Sequence, residues 1–203
     1  MATIKSVADT FQEFSDWLCK ERPSQVQLVG RLANGFEGWL KVEFLGWLVN
    51  QRGMTPGVDA GLEYKASLDQ RASDVDRDET CCDLWVCGPT ESDVHYVELK
   101  TPFCNPNAGK LFRSAGIDLL NVSRLHRVYE RASTGSVIVF GVGFDDETWA
   151  KGRELLRDAA KLDAYFQFSS TGKLSPHIRW DVWTHTYREP WHIITRPTGK
   201  GRG

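Results

Sequence analysis

Apolar residues recur along the chain at two spacings, and the spacing changes where the secondary structure should change. Val7, Phe11, Phe14 and Leu18 fall three or four apart, which predicts an amphipathic helix over residues 3 to 20. Pro23 should end it and open a loop through Leu32. Asn34 is a candidate cap for a second helix, Phe36 to Gln51, with a buried stripe of Phe36, Leu40, Phe44, Trp47 and Leu48. Gly53 and Pro56 should stop that helix. The period then shortens to two. Gly61 to Leu68 alternates as a strand, and two apolar strands, Cys82 to Cys87 and Val94 to Thr101, flank the turn residues Gly88 to Asp93. The polar run Asp69 to Glu79 between them reads as a solvated loop, one that could close over a substrate. Its Asp74, Asp76 and Asp78 resemble the start of a calcium loop, but Glu79 stands where that loop needs glycine and Trp85 where it needs a closing acid.

The second half repeats the alternation of periods. A Pro/Asn/Gly loop from Pro102 to Gly109 leads into a long predicted helix, Ala108 to Ala132. Ser136 to Phe144 is a near-continuous apolar run suited to a buried strand. Asp145 or Asp146 can cap a helix over Glu147 to Leu162, and strand-like pieces follow at Tyr165 to Ser169 and His177 to Tyr187. Trp180, Trp183, His185, Arg188 and Trp191 cluster there, either as an aromatic and basic surface for nucleic acid or as a packed edge strand. The final RPTGKGRG should be a flexible basic end.

Composition changes this picture little. A chain of 203 residues with 41% hydrophobic and 26% charged content fits one soluble domain, residues 1–203, with no internal repeat or convincing linker. The net charge of −2 gives no global attraction to phosphate, so any such attraction must come from a local patch. Five cysteines, an odd number without a C-x-x-C pair, argue for free thiols in a reducing compartment, and the cytoplasm is the expected location. A zinc site from Cys81, Cys82, Cys87, Cys104 and His95 is disfavoured, because adjacent strand residues point to opposite faces. No apolar run approaches the length of a membrane span.

The chemistry concentrates in the hairpin. With Cys87 opposite Val94, Asp83 falls opposite Glu98, and directly opposed residues share a face of the sheet. Lys100, two residues beyond Glu98, shares it too. Two carboxylates and the Leu99 carbonyl are hard oxygen donors of the kind Mg²⁺ or Mn²⁺ takes, and a neighbouring lysine suits a metal-bound water or a phosphoryl oxygen. The plain alternative is a surface ladder of opposite charges. Both acids interrupt strongly apolar runs, however, and buried acids are costly without a compensating cation.

Asp83 followed by Glu98-Leu99-Lys100 resembles the signature of the PD-(D/E)XK nuclease superfamily, an acid on one core strand and an acid-x-Lys triplet on the next. Residues 36 to 144 follow the order helix, strand, strand, strand, helix, strand that the resemblance requires. The motif's proline is missing, with Cys82 before Asp83. The resemblance implies an α/β restriction-endonuclease-like core, a central mixed sheet flanked by helices, with residues 163–203 as an extension. It implies a Mg²⁺- or Mn²⁺-dependent endonuclease acting on DNA, with Asp83, Glu98 and the Leu99 carbonyl on the metal and Lys100 positioning the attacking water. The family's helix often supplies a further Glu, and Glu43 is the expected match, supporting metal or water; a plain ion pair explains it equally well from the residues alone. Glu37, near the first turn, is better explained by the helix dipole. Glu63 could face the same cleft. Asp118 reads as a polar residue at the cleft floor or as a simple core-edge acid.

Lys110, Arg113, Arg124, Arg127 and Arg131 would form one face of the long helix, able to track a phosphate backbone or to remain solvated. A homodimer or a protein partner is compatible with the same residues. So is a silent nuclease-like fold that serves only as a nucleic-acid- or protein-binding partner.

Overall fold

Two of the helices start on a side chain that supplies a missing hydrogen-bond partner, Ser6 and Asp145. The computed structural model describes residues 2–31, 36–68, 79–90, 93–125, 131–161, 166–176 and 178–187. Helix α1 (Val7–Glu21) is capped by the Ser6 hydroxyl, which accepts the Asp9 N–H, and buries Val7, Phe11, Phe14 and Leu18. Pro23 does not open a loop. It begins a short helix, α2 (Pro23–Val29), at the first helical position, where its absent N–H has no partner to lose. Helix α3 (Glu37–Arg52) ends on Gly53 at φ 67°, in the left-handed region that glycine adopts freely.

Strands β1 (Ala60–Ser67), β2 (Glu79–Cys87) and β3 (Val94–Lys100) form an antiparallel meander. Helix α4 (Ala108–Val122) crosses over to β4 (Ala132–Val142), which pairs parallel with β3. Helix α5 (Asp146–Ala160), capped by the Asp145 carboxylate on the Thr148 N–H, precedes the hairpin β5 (Phe166–Ser175) and β6 (Ile178–Thr186). The result is an open, mixed six-stranded sheet in the order β1-β2-β3-β4-β6-β5. Phe11, Phe14, Phe36, Phe44, Phe140 and Trp180 build the core between the sheet and α1–α3. Phe112, Leu119, Trp149, Leu156 and Trp183 build the core beneath α4 and α5.

One sequence expectation fails for a physical reason, and one of two open readings is decided. Helix α4 stops at Val122, well short of Ala132. Gly135 of β4 packs on the Val122 backbone so closely that a Cβ there would sit 2.6 Å from the Val122 carbonyl oxygen. That oxygen accepts the Tyr187 hydroxyl, and Leu125 bridges to Leu68, so the chain leaves the helix to pair with β1's end. Of the C-terminal aromatic cluster, the described Trp180 and Trp183 are packed, as the second of the two readings has it, but not at an edge. Strand β6 lies inside the sheet with β5 at the edge, and Trp180 and Trp183 are buried on its opposite faces. Asn34, the run 69–78, Arg127, Arg188, Trp191 and the basic end lie outside the described residues. The five cysteines are free, and no helix among the described residues is long and apolar enough to cross a membrane.

Candidate active site

The hairpin pairs as its apolar pattern requires: Cys87 with Val94, Val86 with His95, Trp85 with Tyr96 and Leu84 with Val97. Asp83 comes next. Its side chain takes the place of the backbone partner, with Oδ2 accepting the Leu99 N–H at 2.7 Å. The N–H and C=O of one strand residue point to the same side, so the Leu99 carbonyl is directed towards this same gap.

A change of phase in the sheet explains why so many charges meet at this level. On β1, Ala60 and Leu62 pack towards α1–α3 while Ala66 packs towards α4 and α5, although strict alternation would put all of them on one face. The switch falls at Glu63, whose φ of 52° lies in the left-handed region. On β2, Leu84 and Val86 pack towards α1–α3 but Cys82 towards α4 and α5, and Asp83 stands between them. Glu63 and Asp83 are left unpaired between Leu62–Leu84 and Tyr64–Cys82, with no shift of register between the two strands. Side chains from both helical layers reach this level.

From α3, the Lys41 ammonium lies 2.7 Å from Asp83 Oδ1, 2.7 Å from Glu63 Oε1 and 3.8 Å from Glu37 Oε1. From the other layer, Asp118 of α4 binds the Lys100 ammonium at 2.9 Å. Glu98 is 5% exposed and its carboxyl is hydrogen-bonded to Asp83. Burial, with the Asp83 and Asp118 charges added, pushes the Glu98 carboxyl up to about 9 against the opposing pull of Lys100. Lys100 is itself held above its ordinary value: burial pulls it down, but Asp118, Glu98 and Glu37 outweigh that. Lys41 is also raised, because hydrogen bonds to Asp83 and Glu63 overcome its desolvation. Burial raises Glu37, with the repulsion of Asp83 and Asp118 set against the attraction of Lys100 and Lys41.

Asp83 thus meets the Leu99 N–H and Lys41, and its charge acts on Glu98, while Lys100 is tied to Asp118. Glu43 does not join them. It follows Lys41 by two positions, which turns it about 200° around the helix. There it pairs loosely with Arg22 at 3.9 Å and lines a cavity of about 270 Å³ with Trp17 and Trp47. Glu37, one turn before Lys41, is the acid that α3 presents to the cluster. Glu37 and Glu43 flank the buried line of Leu40 and Phe44 on opposite sides, so the residues alone do not choose between them. Glu63 also faces the cluster, and Asp118 is the partner of Lys100 instead of a core-edge acid.

The five-residue basic stripe does not exist as one helical face. Lys110 and Arg113 are exposed on α4 beside Ile117, Arg124 lies past the end of that helix, and Arg131 opens β4 at φ 51°.

The oxygen donors at this level are two carboxylates, Asp83 and Glu98, and the Leu99 carbonyl. Among the described residues no three Asp, Glu, His or Cys side chains converge as a metal cage. Two carboxylates and a carbonyl remain, the sparse set with which Mg²⁺ keeps several waters. Lys41 already places a stand-in cation on Asp83. No family model, curated protein or solved structure matches the chain.

Proposed function

We propose that the chain is a Mg²⁺- or Mn²⁺-dependent nuclease that hydrolyses DNA phosphodiester bonds, as an endonuclease of the restriction-endonuclease-like fold. The observation that carries this reading is the meeting of two buried acids, Asp83 and Glu98, at one level of the sheet, with the Lys41 ammonium on Asp83 and Lys100 two residues beyond Glu98. The order α3-β1-β2-β3-α4-β4 around a mixed sheet supports it. So does the position of Glu37 on the helix before the three strands.

Asp83, Glu98 and the Leu99 carbonyl would hold the cation, which supplies an activated water and charge neutralisation at the phosphoryl oxygens. The chain's own groups do the positioning. The Leu99 N–H fixes the Asp83 carboxylate, and Asp118 keeps the Lys100 ammonium charged and directed at the cluster. Lys100 then orients the attacking water and stabilises charge developing on the phosphate. Lys110 and Arg113 are the remaining exposed cations of α4 for backbone contact.

The test is cleavage of single-stranded, duplex and branched DNA and of RNA, with Mg²⁺, Mn²⁺ or chelator. Asp83→Ala, Glu98→Ala and Lys100→Ala should each lower the rate by about 10²-fold or more. Metal-dependent cleavage at full rate by Lys100→Ala would contradict the assignment. One observation favours a second reading. Because Lys41 already neutralises Asp83, the fold could serve as a catalytically silent binding partner, and absence of cleavage with retained nucleic-acid or protein binding would support that instead.

A further inference from the structure

Lys41 is not part of the D…E-x-K signature, yet its ammonium lies as close to that signature's first acid as the Leu99 N–H does, each at 2.7 Å. It is 2.7 Å from Asp83 Oδ1, and its side chain is only 14% exposed. Asp83 Oδ2 is committed to the Leu99 N–H. A cation approaching Asp83 therefore meets Oδ1, the atom that Lys41 holds. Lys41 has two further anchors, Glu63 Oε1 at 2.7 Å and Glu37 Oε1 at 3.8 Å, so leaving Asp83 strips it of one carboxylate among three. Glu63 is in turn held towards Lys41 by its left-handed backbone and by the Cys81 thiol at 3.7 Å.

We propose that Lys41 is a built-in counter-ion that competes with the divalent cation for Asp83, and that on metal binding it withdraws to Glu63 and Glu37. This rests on the nuclease reading of the site. Two ammonium groups then divide the work. Lys100, tied to Asp118, stays directed at the reacting groups, while Lys41 neutralises the acids when no metal does. The apparent metal affinity is the intrinsic affinity reduced by the fraction of time Lys41 leaves Asp83 open.

The experiment compares the full chain with Lys41→Met and with Lys41→Gln, which keeps a hydrogen-bond donor should the methionine variant fold poorly. Mn²⁺ binding is read by electron paramagnetic resonance of the free ion, and thermal unfolding is read in chelator and in Mn²⁺. If Lys41 holds Asp83 nine-tenths of the time or more, the variants should bind Mn²⁺ at least about tenfold more tightly. They should also melt below the wild type in chelator, with the gap narrowing in Mn²⁺. Asp83→Asn should remove the binding in either background. Equal or weaker Mn²⁺ affinity in the Lys41 variants would overturn the counter-ion role while leaving the nuclease reading in place. Failure of wild type and variants alike to bind Mn²⁺ would overturn the nuclease reading, and the inference with it.

Discussion

Glu98 shows how far a side chain's chemistry departs from its residue type once the chain folds. Its carboxyl titrates near 4.5 in the ordinary case and near 9 in the fold. Between those values the folded protein holds a proton that the unfolded chain has released. Stability without divalent metal should therefore fall as pH rises through that window and lose this dependence below it. Urea unfolding at stepped pH, wild type against Glu98→Gln, checks the point. The wild type should show the decline and the variant should have lost most of it. An equal slope in both would mean that Glu98 is ionised in the fold. Lys100 matters in a different way, since Asp118 at 2.9 Å makes it a charged group of fixed position on a strand.

At the scale of elements, the helices are placed by how closely backbones approach. Gly116 of α4 faces α5 so tightly that a Cβ would meet the Leu156 carbonyl oxygen at 2.3 Å and the Ala159 Cβ at 2.8 Å. Gly152 of α5 leaves equally little room against the Phe112 ring, at 2.5 Å. This contact holds the helix that carries Asp118 against the sheet. Gly46 of α3 is the opposite case, with nothing within 4 Å of its missing Cβ. Gly116→Ala should cost about 1–3 kcal/mol through overpacking. Gly46→Ala should gain about 0.5–1 kcal/mol from helix propensity alone. Equilibrium denaturation of the two variants should give shifts of opposite sign, and a shared sign would contradict the packing described.

Much at this scale was legible in the residues. The stripes of α1 and α3, the Gly53 stop, the Asp145 cap and the hairpin register all follow from local rules. The end of α4 did not, because it depends on Gly135, Tyr187 and Leu68, which are remote in the chain.

For the whole molecule, the candidate site exists because two helical layers meet at one irregular level of the sheet. The hairpin register up to Leu84–Val97 was legible from the turn and the apolar pattern, whereas the position of Asp83 depends on its side chain taking the Leu99 N–H where the alternation of β2 breaks. Glu43 was the wrong choice from its helix. Choosing between it and Glu37 needs the rotation of α3 about its axis, which only packing on β1 and β3 sets. Lys41 was hidden for the same reason, whereas Glu63, read from the sequence as able to face the cleft, does reach the cluster through Lys41. The central claim is that Asp83 and Glu98 form one cation site whose proton gives way to a metal. Calorimetric titration of Mn²⁺ at pH 7, in buffers of different ionisation enthalpy, tests it most directly. The account predicts a single site that releases about one proton on binding and is lost in Asp83→Asn and Glu98→Gln. Binding without proton release, or binding that survives both substitutions, would contradict it.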